Sequence, residues 1–224
     1  MLLRALAAWV WPLAVGQGLS VNQAVNVFTI LAFLGVGLVL NLSLVGLVMW
    51  RMLARLRHLS EHDALTELLN RGAVERRLRE EGARLERYRQ PFSMLALDMD
   101  HFKAVNDRFG HPGGDAVLRE LGRVIRSVGR TSDYAGRSGG EEFWLVMPHT
   151  ELAGALAVAQ RLLQAVREMN VPGLPAQPGM SVSIGVAVCD RPGESHEALL
   201  QRVDAALYRA KKEGRDRISL AADH

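Results

Sequence analysis

The sequence predicts an α/β (α+β) fold in which a ferredoxin-like palm domain, with a central antiparallel-containing sheet flanked by helices, follows a transmembrane helix. Strand-like and helix-like segments alternate beyond residue 63 in the order β-α-β-β-α-β, which is typical of that domain. A long uncharged apolar stretch precedes residue 51. A chain of 224 residues has room for one ordinary domain plus such a segment.

The apolar stretch is free of Lys, Arg, Asp, Glu and His from Ala5 to Trp50. We predict a transmembrane helix over residues 27–50, because its residues from Val27 to Met49 would span about 35 Å as a helix, enough for a bilayer core. Only Arg4 precedes this span, whereas three arginines follow it within seven residues. The positive-inside rule then predicts a single-pass protein of the cytoplasmic (inner) membrane with its C-terminal domain in the cytoplasm.

Two short segments beside the span leave alternatives open. Residues 1–26 form an N-terminal apolar segment, and its stretch Leu2–Val15, interrupted by Pro12, is either interfacial or a second span. Residues 51–62 form a helical linker. From Met49 to Leu59, apolar residues recur at alternating spacings of three and four. This pattern indicates either a short parallel coiled coil or an amphipathic linker without fixed partners. These residues are Met49, Met52, Leu56 and Leu59.

The domain is expected over residues 63–220, followed by a tail at 221–224. Helical periodicity and apolar runs bounded by turn residues define its elements. In order, these are a helix over Ala73–Tyr88, a strand over Phe92–Leu97, a helix over Ala116–Val128, a hairpin of Tyr134–Gly139 and Glu142–Met147, a helix over Glu151–Met169, a loop over Val171–Gly179, a strand over Ser181–Val188, a helix over Glu197–Lys212 and a strand over Arg217–Leu220.

Charge and cysteine content exclude two classes of protein. The isoelectric point near 9.4 suggests a nucleic-acid partner. However, residues 63–224 carry 23 basic and 23 acidic side chains, so the excess positive charge belongs to the membrane flank and no nucleic-acid partner is expected. A single cysteine, Cys189, excludes an internal disulfide and suits a reducing compartment.

Carboxylates gather in two places. Asp98 and Asp100 end an apolar strand, and Glu141 and Glu142 follow the glycine pair of the predicted hairpin. Adjacent acids at such positions are costly unless a cation holds them, and oxygen ligands suit a hard divalent ion. The two clusters could face each other across the sheet and bind such a metal.

Six motifs occur in order through the domain. They are His62–Arg71, Asp98–Asp107, Gly110–Asp115, Gly139–Phe143, Ser181–Gly185 and Asp204–Arg215. With these motifs, the chain from Asp63 to Leu220 resembles the GGDEF family, the diguanylate cyclases that condense two GTP molecules into cyclic di-GMP and two pyrophosphates.

The resemblance implies a role for each motif residue. It implies two Mg²⁺ (or Mn²⁺) ions per active site, held by Asp98, Met99, Glu141 and Glu142, with Glu141 also helping to deprotonate the attacking hydroxyl. It implies that Asn106 and Asp115 recognise guanine. The residues implied to hold the triphosphate are His101, Phe102 and Lys103 after the first strand, together with Lys211 and Arg215, which we expect on one face of the last helix.

A second site is implied before the hairpin. Arg130 and Asp133 have the spacing of the Arg-x-x-Asp site at which many family members bind cyclic di-GMP as an inhibitor, and Arg137 and Arg161 would complete it by analogy. From the residues alone, a local salt bridge or turn is the alternative.

Two residues depart from the family pattern. Glu67 stands where the family usually has Gly, and Ser138 where an aromatic residue usually precedes the glycine pair; Glu67 in a conformation that favours Gly would strain the junction of linker and domain. The resemblance implies an active enzyme in which two protomers of a homodimer face each other, each binding GTP. The alternatives are a non-catalytic cyclic di-GMP receptor and a structural membrane adaptor.

Overall fold

The computed structural model describes residues 23–59, 61–174 and 180–222, with the side chains of 23–28 and 54–59 left out. The chain divides into two units, Met1–Leu59 and Ser60–His224. The elements are α1 (Gln23–Leu59), β1 (Leu69–Asn70), α2 (Arg71–Tyr88), β2 (Phe92–Met99), α3 (Phe102–Val128), β3 (Tyr134–Gly139), β4 (Glu142–Pro148), α4 (Leu152–Arg167), β5 (Val182–Cys189), α5 (His196–Lys212) and β6 (Ile218–Leu220).

Helix α1 forms the described part of the first unit. Its segment Thr29–Leu53 has a mean hydropathy of 2.4, and its length and composition suffice to cross a membrane. A signal sequence near an N-terminus has the same properties. The N-terminal segment 1–22 lies outside the described residues, as do the side chains of Leu56 and Leu59 in the predicted coiled-coil seam.

The second unit is a six-stranded mixed sheet in the order β1-β3-β4-β2-β5-β6, flanked by helices. The central strand β2 pairs antiparallel with both β4 and β5, and β3 continues the hairpin outward. The hairpin therefore lies beside the first strand of the β-α-β-β-α-β series, as the predicted fold requires. Two short edge strands, β1 and β6, pair in parallel, and β1 was not predicted because two residues carry no periodicity.

Strand β2 is buried along its whole length, and its side chains alternate between two apolar layers. Leu95, Leu97 and Met99 join the core formed with α3 and α4. Met94 and Ala96 join the core formed with α2 and α5. The alternation of side chains along a strand therefore places the side chain of the next even residue, Asp98, on the α2 and α5 face.

Gly185 on β5 allows α5 to pack closely against the sheet. A Cβ atom at this position would overlap the carbonyl oxygen of Val203 and the amide nitrogen of Leu207. The contact fixes the position of α5 beside β5, and the last turn of this helix carries Lys211.

Helix α3 extends the predicted helix Ala116–Val128 toward the N-terminus, as far as Phe102, and contains a break. Gly110 has φ 68° and ψ 173°, and Pro112 follows it inside the helix. Residues 102–109 and the predicted helix Ala116–Val128 consequently belong to one element with a kink, a geometry for which Gly and Pro are the usual causes. Of the predicted loop Val171–Gly179, residues 175–179 lie outside the described part.

Candidate active site

The turn of the β3–β4 hairpin carries Glu141, one of the acids of the site. This turn consists of Gly140 and Glu141, between the paired residues Gly139 and Glu142. Gly140 has φ 47°, which glycine adopts without the steric penalty of a side chain. A register shift between Arg137 and Gly139 marks an irregularity at the intervening position 138 of β3.

Two backbone features bring this turn to the end of β2. Asp98 is the register partner of Glu142, so the two side chains project from the same face of the sheet. The amide nitrogen of Met99 donates to the carbonyl oxygen of Glu141 at 3.3 Å. The acidic ends of β2 and of the hairpin, which the sequence predicted to face each other, are therefore adjacent.

Asp98 is the buried acid of this cluster, with only 5% of its surface exposed. Burial raises the pKa of its carboxyl group above the usual value, and the neighbouring charges of Glu141 and Glu142 act in the same direction. Lys211 opposes this shift, because its Nζ atom lies 2.7 Å from Oδ2 of Asp98. The cluster thus holds more negative charge than one lysine neutralises, which favours an added cation.

Asp100, the second acid at the end of the predicted strand, has its carboxylate engaged away from Asp98 and the hairpin acids. The chain leaves the strand after Met99, so the alternation of β2 no longer directs the side chain of Asp100. Its carboxylate accepts hydrogen bonds from the hydroxyl groups of Ser181 and Ser183 and from the amide of Asp216. These three donors occupy it within the protein.

The oxygen atoms that remain available as metal ligands suit a hard divalent ion. The side chain of Met99 is buried in the core on the opposite face, so only its main-chain oxygen is available as a ligand. Within the described residues, no three His, Cys, Asp or Glu side chains converge into a complete metal cage. Mg²⁺ usually takes one or two carboxylates and completes its shell with water and substrate phosphates, so Asp98 and Glu141 fit its requirements.

The segment after β2 forms a helix N-terminus close in sequence to the acidic cluster. His101 occupies the N-cap position with φ 56°, and α3 begins at Phe102, followed by Lys103. The first amide groups of a helix have no partner within it and carry partial positive charge, which suits a phosphate group. His101 and Lys103 are exposed, whereas Phe102 is half-buried.

Asn106 and Asp115 lie on either side of the break in α3, and both are half-buried. Gly114 packs against the amide of Asn106 so closely that a Cβ atom there would overlap Oδ1 of Asn106. The break and the missing side chain together allow the two helical segments to approach each other. The structure therefore gives a physical reason for Gly114, which the sequence interpretation treated only as part of a motif.

Lys211 and Arg215 do not share the last helix, contrary to our prediction. Helix α5 ends at Lys212, and Arg215 lies in the turn beyond it with φ 63°. Gly214 ends the helix in a conformation that favours glycine, and this changes the direction of the chain before Arg215. The Arg215 side chain is exposed and makes no hydrogen bond or ion pair within residues 61–174 and 180–222.

The proposed inhibitory segment is a compact turn. Arg130 donates its amide to Oδ2 of Asp133 at 2.7 Å, and Asp133 donates its amide back to the Arg130 carbonyl at 3.0 Å. Arg161 on α4 donates to the carbonyl of Val128, two residues before Arg130. The Arg130 side chain is exposed, so the turn fixes the backbone and leaves the guanidinium accessible.

Arg137 has partners that the sequence interpretation missed. Its guanidinium lies 3.3 Å from both oxygens of Asp63 and donates to the carbonyl oxygen of Gly140 at 2.6 and 2.9 Å. Burial alone raises the pKa of Asp63, but hydrogen bonds from Thr66 and the charge of Arg137 outweigh it and lower the pKa. Arg137 thus connects the first turn of the domain, residues 63–67, to the hairpin turn that carries Glu141.

Glu67 in this first turn has the conformation that its sequence position suggested. Its φ is 58°, the left-handed region that disfavours residues with a side chain. Arg126 on α3 donates to its carbonyl oxygen at 2.8 Å, and the His62 ring lies 3.0 Å from the same atom. These contacts hold the strained residue in place.

Known proteins are similar to this chain over most of its second unit. The model of the family described as diguanylate cyclase, GGDEF domain, matches residues 60–217. Diguanylate cyclase DgcM of Escherichia coli K12 is 41% identical over 171 residues, which cover 76% of this chain and 41% of DgcM. The chain therefore spans less than half the length of this curated relative, and the same holds for diguanylate cyclase A of Treponema denticola, of which it covers 37%.

Solved structures match the second unit closely. The GGDEF domain of DgcB from Caulobacter crescentus, crystallised with c-di-GMP, is 33% identical with a TM-score of 0.69, and the match covers 73% of this chain and 94% of that domain. The active GGEEF domain of a diguanylate cyclase from Vibrio cholerae is 33% identical with a TM-score of 0.66, covering 70% of this chain and 99% of that one. Fold, motif order and family match agree, and the chain belongs to the GGDEF-domain family of diguanylate cyclases.

Proposed function

We propose that this chain is a diguanylate cyclase that condenses two GTP molecules into cyclic di-GMP and two pyrophosphates. The observation that carries the proposal is the junction of β2 and the hairpin, where the Met99 amide bonds the Glu141 carbonyl and Asp98 pairs with Glu142. The reaction needs carboxylates that hold cations beside a phosphate, and this junction supplies them. The family match supports the same activity.

The acidic cluster holds the metal. Asp98, the main-chain oxygen of Met99, Glu141 and Glu142 are the proposed ligands of two Mg²⁺ or Mn²⁺ ions. When bound, the metal shields the phosphate charge and lowers the pKa of the attacking 3′-hydroxyl. Glu141 sits in the hairpin turn, half-buried, where its carboxylate can accept the proton of that hydroxyl.

The remaining residues of the site hold the nucleotide. The helix N-terminus formed by His101, Phe102 and Lys103 binds the triphosphate through its amide groups. Lys211 and Arg215 add positive charge to the same phosphates. Asn106 and Asp115 bind the guanine base, since an amide and a carboxylate together complement its acceptor and donor edge in a way that adenine does not match.

Two protomers are required for one product molecule. Each protomer holds one GTP, and each 3′-hydroxyl attacks the α-phosphate of the partner's nucleotide, so catalysis depends on a homodimer. The Thr29–Leu53 segment supports membrane anchoring, which concentrates the protomers in a plane. Arg51, Arg55 and Arg57 after it favour a cytoplasmic domain at the inner membrane, where GTP is available.

Cyclic di-GMP is also the proposed inhibitor. The exposed Arg130 guanidinium can donate paired hydrogen bonds to the phosphate and guanine of the product, and Asp133 accepts hydrogen bonds from the guanine base. Arg161 lies against the same segment, through Val128. Arg137 completes this site by analogy, and it would have to exchange its contact with Asp63 to do so.

The decisive test uses the full chain in lipid nanodiscs with GTP and Mg²⁺, with cyclic di-GMP measured by mass spectrometry. We expect product from the wild type and from Glu80→Ala, which removes an exposed carboxylate on α2, and none from Glu141→Ala. Binding of cyclic di-GMP without any product from the wild type would refute the cyclase and support the receptor alternative.

A further inference from the structure

Three consecutive residues after α5 adopt positive φ angles. They are Gly214 at 120°, Arg215 at 63° and Asp216 at 48°. A left-handed conformation costs a residue with a side chain roughly 1–2 kcal/mol. Two such residues in succession persist only where the surroundings hold them, and strain of this kind concentrates at functional sites.

The turn is closed on the side of α5 by the backbone. The amide of Arg215 donates to the carbonyl oxygen of Ala210 at 3.0 Å, across Gly214. This is the wide hydrogen bond of a Schellman motif, which ends a helix and redirects the chain. It fixes the amide of Arg215 but leaves the next residue to be held by other elements.

Arg167, the last residue of α4, holds Asp216 from one side. Its Nε and Nη2 atoms donate to the two carboxylate oxygens of Asp216 at 2.9 and 2.8 Å, and Nη2 also donates to the Asp216 carbonyl at 3.3 Å. A two-pronged pair of this kind fixes orientation as well as distance. Both side chains are partly exposed, so the pair contributes more to geometry than to overall stability.

Asp100 holds Asp216 from the other side. Its carboxylate is only 6% exposed, and Oδ2 accepts the amide of Asp216 at 3.0 Å. Ser181 donates to the same oxygen and Ser183 to Oδ1, each at 2.7 Å. A carboxylate with its acceptor sites used in this way is rigid, and it stands two residues from Asp98 on the same chain segment.

We propose that Asp100 and Arg167 are positioning residues that hold the left-handed turn so that Arg215 is presented to the phosphates of GTP. The proposal rests on the proposed function, in which Arg215 binds those phosphates. The Arg215 side chain is exposed and long, so it loses conformational entropy when it binds the phosphates of GTP. A backbone that is already fixed means that only the side chain has to be ordered on binding. The end of β2 and the residue that follows it thereby position two positive charges beside the nucleotide. Asp98 holds the proposed metal cation, and Asp100 holds the turn that carries Arg215.

The test compares Arg167→Met and Asp100→Asn with the wild type, as full chains in nanodiscs. Arg123→Met is the matched control, since it removes an exposed arginine paired with Glu120 on α3. We measure kcat and KM for GTP and the Kd of a non-hydrolysable GTP analogue with Mg²⁺. Each positioning variant should raise KM and Kd about tenfold and keep kcat within about twofold of the wild-type value. The control should leave kcat, KM and Kd unchanged. Arg167→Met alters a surface pair, so it tests the proposal even if Asp100→Asn fails to fold.

A double-mutant cycle separates positioning from a general loss of structure. In an Arg215→Met background, both substitutions should lose their effect on the analogue Kd, because the group that they position is gone. An equal loss of affinity with and without Arg215, or a lower melting temperature with unchanged Kd, would overturn the proposal. A wild type that binds the analogue but forms no cyclic di-GMP refutes the cyclase alone, whereas one that binds no analogue refutes both.

Discussion

The ammonium group of Lys211 lies 2.7 Å from Oδ2 of Asp98, so a cation from α5 contacts one oxygen of the buried carboxylate. Lys211 is about one-third exposed and Asp98 is almost fully buried, so the lysine can turn toward solvent while the acid cannot. The proposed metal would compete with Lys211 for Asp98, and Lys211 could then contact the phosphates of the nucleotide instead.

Asp98→Asn should abolish cyclic di-GMP synthesis while raising the melting temperature. Burial raises the pKa of this carboxyl group, so the folded protein binds its proton more tightly than the unfolded chain does. Wild-type stability consequently falls as the pH rises from the usual value of 3.8 through the higher folded pKa, and the variant should lack this component. Thermal unfolding from pH 3.5 to 7 measures it. A variant less stable than the wild type at pH 7 would contradict the assigned pKa direction.

Asp63→Asn should lower kcat about tenfold with a small change in KM, because it loosens Arg137 and hence the turn that carries Glu141. The pKa of Asp63 is lowered in the folded protein, so its contribution to stability is present above pH 3.8 and is lost as the pH falls through the folded pKa. Steady-state kinetics and acid unfolding measure the two effects. Glu61→Gln, which removes the neighbouring pair with Arg76, is the control and should retain kcat.

Glu67→Gly should stabilise the domain by up to about 1 kcal/mol. The substitution relieves the left-handed strain at φ 58°, although part of the gain is offset by the greater backbone freedom of glycine in the unfolded chain. The carbonyl contacts with Arg126 and His62 do not depend on the side chain and should persist. Chemical denaturation checks the direction, and Glu67→Ala, which keeps the strain, should show no gain.

Arg130→Ala should abolish product inhibition and leave the initial rate unchanged, because the exposed guanidinium is the proposed contact to cyclic di-GMP. The measurement is the initial rate of pyrophosphate release with and without added cyclic di-GMP. Arg126→Ala, a nearby exposed arginine on α3, is the control and should remain inhibited. Inhibition of equal strength in Arg130→Ala would reject the site.

The sequence predicted the strands and helices around β2 well, because their apolar spacing records which face is buried. Phe92 to Met99 is buried on both faces, and the hairpin is specified by glycines that few other residues could replace. The adjacency of the acids at the end of β2 and in the hairpin was predictable for the same reason, since Asp98 and Glu141 each stand where an apolar run meets a turn.

The contacts of Asp100, Arg137 and Arg167 could not be predicted in this way. Each depends on a partner far away in sequence, namely Asp216, Asp63 and again Asp216. Polar residues of exposed or half-buried segments show no periodicity that would pair them. The predicted end of α5 at Lys212 is confirmed, but the four-residue spacing of Lys211 and Arg215 suggested one helix face although Arg215 lies beyond that end.

Gly114 offers cell biologists a selective way to silence the protein. A methyl group at this position would displace the Asn106 amide, which we assign to the guanine base, and it would touch neither the acidic cluster nor the Arg130 segment. A Gly114→Ala allele should therefore stop synthesis while the protein still captures cyclic di-GMP. Comparing it with a deletion strain would separate phenotypes caused by lost production from those caused by a lost scaffold.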